Sequence, residues 1–127
     1  MEIEAAAFDS CSGVINLTLN EGLTTIKSGA FQYLTSITNV EIPDSVSAIY
    51  GGAFSNCTNL VSASLGNGID AINNTVFYGC SNLLSVTLGD SIKSIGSLAF
   101  YYCSSLISVT LNNSIEVIEN SAFFGCS

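Results

Sequence analysis

The chain has no histidine, and Lys27 and Lys93 are the only basic residues among its 127 positions. Without histidine neither a Ser-His nor a Cys-His dyad can form, and no phosphate-binding glycine loop is present, so the sequence predicts a protein that is not an enzyme. Two lysines cannot neutralise a nucleic-acid backbone. The formal net charge of −8 therefore disfavours both nucleic acids and anionic membrane surfaces as partners.

Long apolar runs and a basic leader are also missing. The apolar runs are too short to cross a bilayer, so we expect no membrane insertion. The segment from Met1 to Glu4 carries two acids where a secretion signal would carry basic charge, so no signal peptide is expected in this chain. Only 9% of the residues are charged. The other polar residues are mainly Ser, Thr and Asn, which suit turns and stacked strands better than helices.

A strict repeat of 23 residues runs through the whole sequence. Its marker is a phenylalanine, usually preceded by alanine, at Phe8, Phe31, Phe54, Phe77, Phe100 and Phe123. Apolar residues recur at fixed distances after each Phe, and no insertion or deletion interrupts the register. The sequence therefore predicts one domain, residues 1–127: five turns that start at 7, 30, 53, 76 and 99, with partial turns at both ends.

Each repeat contains an apolar-x-apolar triplet that predicts a short strand with one outward residue, as in Val86-Thr87-Leu88. Equivalent strands of successive turns should form a parallel sheet, with neighbours about 4.8 Å apart. We expect a repeat solenoid that coils right-handedly. For the opposite wall, which contains the segment from Ile95 to Phe100, short strands, turns, 3₁₀ segments and a brief helix remain open, whereas long helices do not fit.

The repeat unit resembles a known family. Ala-Phe-x-x-Cys-x-x-Leu-x-x-Val-x-Leu-x-x-Ser-Ile-x-x-Ile runs from Ala99 to Ile118, and it recurs from Val76 to Ile95 with Val in the first position. This unit is similar to the BspA-like, or Treponema pallidum type, leucine-rich repeat. The resemblance covers essentially the whole chain and implies a leucine-rich-repeat fold. It also implies an adhesin or interaction protein at the cell surface or secreted, with a host or matrix protein as partner.

Two conspicuous residue types are assigned to the core. The cysteines share one column, in which Leu34 replaces sulfur in the second repeat, so we interpret them as a ladder of buried thiols rather than as disulfides or a metal site. The Phe column is interpreted as a stacked spine rather than as a ligand platform. Calcium binding by Glu41, Asp44 and Asp90 is weighed against a solvated face, and the solvated face is favoured. We expect no cofactor and no metal.

Candidate partner-binding residues fall in two groups. The first group consists of aromatic residues that follow the Phe column at varying positions: Tyr33, Tyr78, Tyr101, Tyr102 and Phe124. These rings are either exposed anchors for a partner or a cover for the Ala-Phe turn. The second group lies on the outer face of the predicted strands and includes Glu41, Thr87 and Thr110.

A further apolar column adjoins the core and consists of Ile15, Val61, Leu84 and Ile107. Strand alternation counted back from Val86 turns Leu84 inward, so the column is predicted to form the edge of the core.

Three functions remain open for the chain. The first is a protein-binding module, and the second is a structural element that self-associates into dimers or filaments through uncapped ends. The third is a carbohydrate-binding surface built from aromatic rings. Because both termini fall part-way through a turn and neither supplies a polar cap, we expect either a piece of a longer array or ends that stack on other copies.

Overall fold

The computed structural model describes residues 1–127, and every element in it is a short strand or a turn. Ten strands follow one another along the chain: β1 (Glu2–Ile3), β2 (Thr25–Ile26), β3 (Asn39–Ile42), β4 (Ala48–Ile49), β5 (Ser62–Leu65), β6 (Ala71–Ile72), β7 (Ser85–Thr87), β8 (Ser94–Ile95), β9 (Ser108–Thr110) and β10 (Val117–Ile118). The predicted solenoid of short parallel strands is confirmed.

All strand pairs are parallel, and each joins residues one repeat apart. The longer strands form one four-stranded sheet in the order β3-β5-β7-β9. The two-residue strands form two ladders on another wall, β1-β2-β4 and β6-β8-β10. The register pairs Val40 with Ala63 and Ala63 with Val86, so identical columns of the repeat lie on top of one another.

The four-stranded sheet shows the predicted alternation. In β3 the side chains of Val40 and Ile42 are buried, whereas Asn39 and Glu41 are exposed. Aliphatic residues occupy the inward positions of the strands. A single turn is too thin to bury them, but the turns stacked on either side cover them. The sheet therefore separates a continuous apolar core from a polar outer face.

The wall that carries the Ala-Phe pair is built from tight turns. N–H groups there bond alternately within their own turn, as from Gln32 to the Gly29 carbonyl, and to the next turn, as from Phe31 to the Ala53 carbonyl. Two residues per turn, four positions apart, have φ between 54° and 78°. Because such left-handed residues break helical progression, this wall forms neither a 3₁₀ segment nor a helix.

The six repeated phenylalanines form the predicted spine. Neighbouring rings are stacked with centroids 5.2 to 5.7 Å apart and interplanar angles of at most 18°. The four central rings are fully buried. The interpretation of this column as core is confirmed, and it leaves the other aromatic residues to be explained.

Candidate functional site

The aromatic residues after the spine are positioned by the left-handed residue two places beyond each Phe. Tyr102 is that residue in its turn, with φ of 56°. Its N–H donates to the Phe124 carbonyl of the next turn at 2.8 Å, and the Gly79 N–H donates in the same way to the Tyr101 carbonyl. These bonds hold the residues that directly follow each Phe in one column.

Four rings come together as a result, and we call Tyr78, Tyr101, Tyr102 and Phe124 the aromatic cluster. Tyr101 is stacked between Tyr78 at 5.3 Å and Phe124 at 5.1 Å. Tyr102 stands at 67° to this stack, 4.4 Å from the Tyr101 ring centroid. Stacked and edge-to-face contacts at these separations are both favourable, so the cluster is a preorganised unit.

Exposure differs within the aromatic cluster. Tyr102 is 51% exposed and Phe124 is 55% exposed, whereas Tyr78 and Tyr101 are half-buried. The Tyr102 ring lies over Gly125, where a Cβ atom would come within 2.5 Å of its Cδ1 atom. The Tyr102 side chain beside Tyr101, and then desolvation, raise the pKa of Tyr101 above its usual value.

Tyr33 does not join the aromatic cluster. It occupies the same column as Tyr102 and is 45% exposed, but Asn56 and Gly79 stand between them in that column. Three repeats separate the two rings, which at about 4.8 Å per turn is about 14 Å. The structure thus brings together four of the five predicted aromatic residues.

The second predicted group lies on the outer face of the four-stranded sheet, which we call the sheet face. Glu41, Thr87 and Thr110 are all exposed and share one column, because the register pairs Glu41 with Ser64, Ser64 with Thr87, and Thr87 with Thr110. A shallow groove of about 600 Å³ runs beside Glu41 and Thr87.

Acidic residues on the rim of this groove have structural contacts of their own. The Asn67 N–H donates to Asp44 Oδ1 at 2.7 Å, and the Ser45 N–H donates to Glu21 Oε2 at 3.2 Å. These carboxylates therefore link one turn to the next. No group of three or more Cys, Asp or Glu side chains is arranged to hold a metal ion.

The apolar column with Val61, Leu84 and Ile107 corrects the sequence analysis. It was predicted to form the edge of the core, yet these side chains are 39%, 41% and 79% exposed, and Ile15 is 70% exposed. The physical reason lies just before each strand, where two consecutive N–H groups share one acceptor. Both Leu84 and Ser85 donate to the Val61 carbonyl, at 2.8 and 3.4 Å. Such a bulge re-aims a side chain, so alternation counted from Val86 fails at Leu84.

The predicted ladder of buried thiols is confirmed for three of the five cysteines. Cys57, Cys80 and Cys103 are buried, whereas Cys11 is exposed and Cys126 is intermediate. The buried thiols also do something the sequence analysis missed, because each donates to the carbonyl of the spine Phe one turn earlier. Cys57 Sγ lies 3.2 Å from the Phe31 carbonyl oxygen, and Cys103 Sγ lies 3.2 Å from that of Phe77. Burial raises the pKa of the Cys103 thiol to about 12, so this ladder is a structural element.

The model of the BspA type leucine rich repeat region matches residues 1–127 in six copies. The chain belongs to this family. The BspA-type resemblance drawn from the Ala-Phe and Cys columns is thereby confirmed, and repeat folds of this class are generally non-enzymatic and generally mediate protein–protein contacts.

Solved relatives of this BspA-type chain come from bacteria. A leucine rich cell surface protein of Faecalibacterium prausnitzii is 31% identical, with a TM-score of 0.85, over 89% of this chain and 30% of its own. The leucine rich repeat protein of T. pallidum is 32% identical, with a TM-score of 0.79, over 89% of this chain and 54% of its own. A leucine-rich repeat protein of Eubacterium ventriosum is 24% identical over 98% of this chain and 40% of its own, with a TM-score of 0.78, and shares the fold.

The BspA-type chain thus spans between about a third and about half of the length of the first two relatives. No curated protein matches its sequence. The structure contains no helix of the length and apolarity that crossing a bilayer requires.

Proposed function

We propose that this chain is a non-enzymatic protein-binding module of a cell-surface or secreted adhesin, and that the aromatic cluster is its main anchor. The observation that carries the proposal is that Tyr102 stays about half exposed against a rigid stack of Tyr78, Tyr101 and Phe124. Large aromatic side chains on a rigid surface are the commonest hot spots of protein interfaces.

The shape of the aromatic cluster favours a protein surface as the ligand. None of its residues lines any of the three cavities of the molecule. The cluster therefore does not form a cleft that would enclose a small molecule. A preorganised cluster also loses little conformational entropy on binding, because its rings already constrain one another.

The ring stacking leaves the central ring of the cluster unavailable to a carbohydrate ligand. A sugar would pack on an exposed ring face, whereas both faces of Tyr101 are covered, by Tyr78 and by Phe124. The parts of the cluster that remain accessible, on Tyr102 and Phe124, are suited to apolar and hydrogen-bonding groups of a protein.

A binding panel tests this proposal. The immobilised chain is exposed to purified host extracellular-matrix proteins and to a glycan panel, and binding is recorded by interferometry. We expect at least one protein ligand and no glycan ligand. Glycan binding without protein binding would replace the proposal by the carbohydrate alternative. Light scattering on the free chain and on Tyr102→Ser shows whether the chain self-associates and whether that association depends on this ring.

A further inference from the structure

The aliphatic column on the sheet side is a second surface that the chain itself leaves uncovered. Val61, Leu84 and Ile107 project from three consecutive turns, and we call them the aliphatic stripe. Val61 and Leu84, which have a turn on either side, are 39% and 41% exposed, and Ile107 in the last strand-bearing turn is 79% exposed. Serine and asparagine flank the stripe in each turn. Three large apolar side chains aligned on a polar face are a feature typical of an interaction surface.

The backbone beneath the first two residues of the aliphatic stripe, Val61 and Leu84, has no free hydrogen-bonding groups to offer. The Leu84 N–H donates to the Val61 carbonyl at 2.8 Å, and the Ile107 N–H donates to the Leu84 carbonyl at 3.0 Å. Those carbonyls each accept a second bond, from Ser85 and Ser108 respectively. A partner lying across Val61 and Leu84 therefore cannot pair with the backbone there, and its recognition must use side chains.

The spacing of the aliphatic stripe selects the geometry of its occupant. Successive stripe residues are separated by one turn of the solenoid, about 4.8 Å. An α-helix laid along the solenoid axis repeats its apolar side chains every turn of about 5.4 Å, so it drifts by only about 1 Å over the two intervals. An extended segment repeats one face every 6.7 Å or so and drifts by about 4 Å. The stripe thus fits the apolar side chains of a helix.

The negative charge on the sheet side of the chain favours basic side chains along the polar flank of that helix. In each repeat, the eight residues that start at the stripe position contain the strand and the turn after it. In the five repeats these segments carry four acidic residues, Glu21, Glu41, Asp44 and Asp90, and no basic residue. The chain has two ion pairs, and Lys27 makes both. Its Nζ atom lies 3.0 Å from Glu2 Oε2 and 2.9 Å from Glu4 Oε1. The carboxylate of Glu41 is therefore unpaired, and its field favours lysine or arginine on the partner.

We propose that the aliphatic stripe docks an amphipathic helix of a partner protein, aligned with the solenoid axis and carrying basic side chains toward the sheet face. This docking site does not include the aromatic cluster, and it stands even if that cluster binds nothing. The two surfaces give the chain two separate contacts for partners.

A designed peptide tests the docking site. It has about 20 residues, which span about 30 Å as a helix, with leucines at every third or fourth position and lysines along one flank. A peptide of the same composition with scrambled leucine positions is the first control. A second control has the same charge and alternating leucines for an extended conformation. Fluorescence anisotropy gives the dissociation constants.

We expect the patterned peptide to bind at least about tenfold more tightly than either control. The double variant Leu84→Ser/Ile107→Ser should weaken binding of the patterned peptide about tenfold or more. Tyr50→Ser and Tyr102→Ser, two substitutions of similarly exposed rings elsewhere, should leave binding unchanged. Glu41→Gln should weaken binding at low salt and have little effect at high salt, because exposed charges are screened.

Amide chemical-shift mapping on the unmodified chain keeps the test independent of variant folding. Shifts centred on Val61, Leu84 and Ile107 are expected. Equal affinities for the patterned and control peptides would overturn the proposal, as would no detectable binding at about 1 mM. Shifts located on another wall would overturn it as well. A result in which Tyr102→Ser alone abolishes binding would assign the peptide to the aromatic cluster instead.

Discussion

At the scale of single residues, the backbone of the Ala-Phe wall requires positive φ angles at positions where the sequence often has no glycine. Each turn needs two left-handed residues, yet Thr75, Leu98 and Tyr102 stand at such positions with φ of 61°, 60° and 56°. Side chains with a Cβ are disfavoured there, and β-branched ones most of all. Glycine fills the same columns in other repeats, as at Gly52 and Gly79. The wall therefore stores strain in some turns and relieves it in others.

The left-handed requirement predicts the effect of Gly52→Ala. A Cβ atom at Gly52 would meet nothing closer than 3.9 Å, so only its φ of 70° matters. We expect a loss of about 1 to 2 kcal/mol in the free energy of unfolding, measured by urea denaturation. Gly13→Ala is the matched control, because a Cβ there meets nothing within 4 Å and its φ is not positive. Equal stability of the two variants would contradict this account.

The cysteine column predicts selective thiol chemistry. Cys11 is exposed, whereas Cys57, Cys80 and Cys103 are buried. Burial raises the pKa of Cys103 from 9.0 to about 12, so few thiolates form there at pH 8. A thiol reagent should modify Cys11 in the native chain and the three buried thiols only after unfolding. Mass spectrometry of the modified peptides checks this, and equal labelling of Cys11 and Cys103 would refute it.

The raised pKa of Cys103 also makes the free energy of unfolding depend on pH. Because the folded pKa of Cys103 is raised above the unfolded value of 9.0, its contribution to stability is complete below pH 9. That contribution falls as pH rises toward 12, since the unfolded chain then releases a proton that the folded chain retains. Unfolding free energy should therefore decrease across this alkaline range.

At the scale of elements, the phenylalanine spine supports every turn through its two neighbours. Phe77 is fully buried between Phe54 at 5.7 Å and Phe100 at 5.4 Å. Phe8 has a single stacking partner and is 41% exposed. The same side chain thus contributes differently according to its place in the stack.

This difference predicts two substitutions in one column. Phe77→Ala should cost about 3 to 5 kcal/mol of unfolding free energy, because it removes a buried ring and leaves a cavity. Phe8→Ala should cost less than about 2 kcal/mol, because much of that ring is already in water. Thermal and urea denaturation measure both. Similar costs for the two variants would contradict the claim that a ring stabilises the fold according to its burial in the stack.

The elements also show what sequence reasoning can and cannot predict. The columns through Val40, Ala63 and Val86 follow from the repeat alone, because stacking requires like residues to pair. The outward direction of Leu84 could not be predicted, because it depends on two N–H groups sharing the Val61 carbonyl. The stacking of Tyr101 between Tyr78 and Phe124 was likewise not predicted from the sequence. One available signal was that all three directly follow a spine Phe.

At the scale of the whole molecule, each turn contacts only its neighbours, so stability should scale with the number of turns. This predicts that deletion of one full repeat, residues 53–75, leaves a folded chain in which Phe31 stacks on Phe77. The urea m-value should fall by about a fifth, since less surface is exposed on unfolding. Deletion of residues 53–76 shifts every later column by one position and should prevent cooperative unfolding. Equal behaviour of the two deletions would contradict the stacking model.

The central claim is that the aromatic cluster anchors a protein partner, and one affinity ratio tests it most directly. For a protein ligand from the binding panel, dissociation constants are measured with the parent chain, with Tyr102→Ser/Phe124→Ser, and with Tyr50→Ser as the exposed-ring control. Two hot-spot rings lost together should weaken binding about 100-fold or more, while the control binds like the parent. Equal affinities for the parent chain and the double variant would contradict the claim.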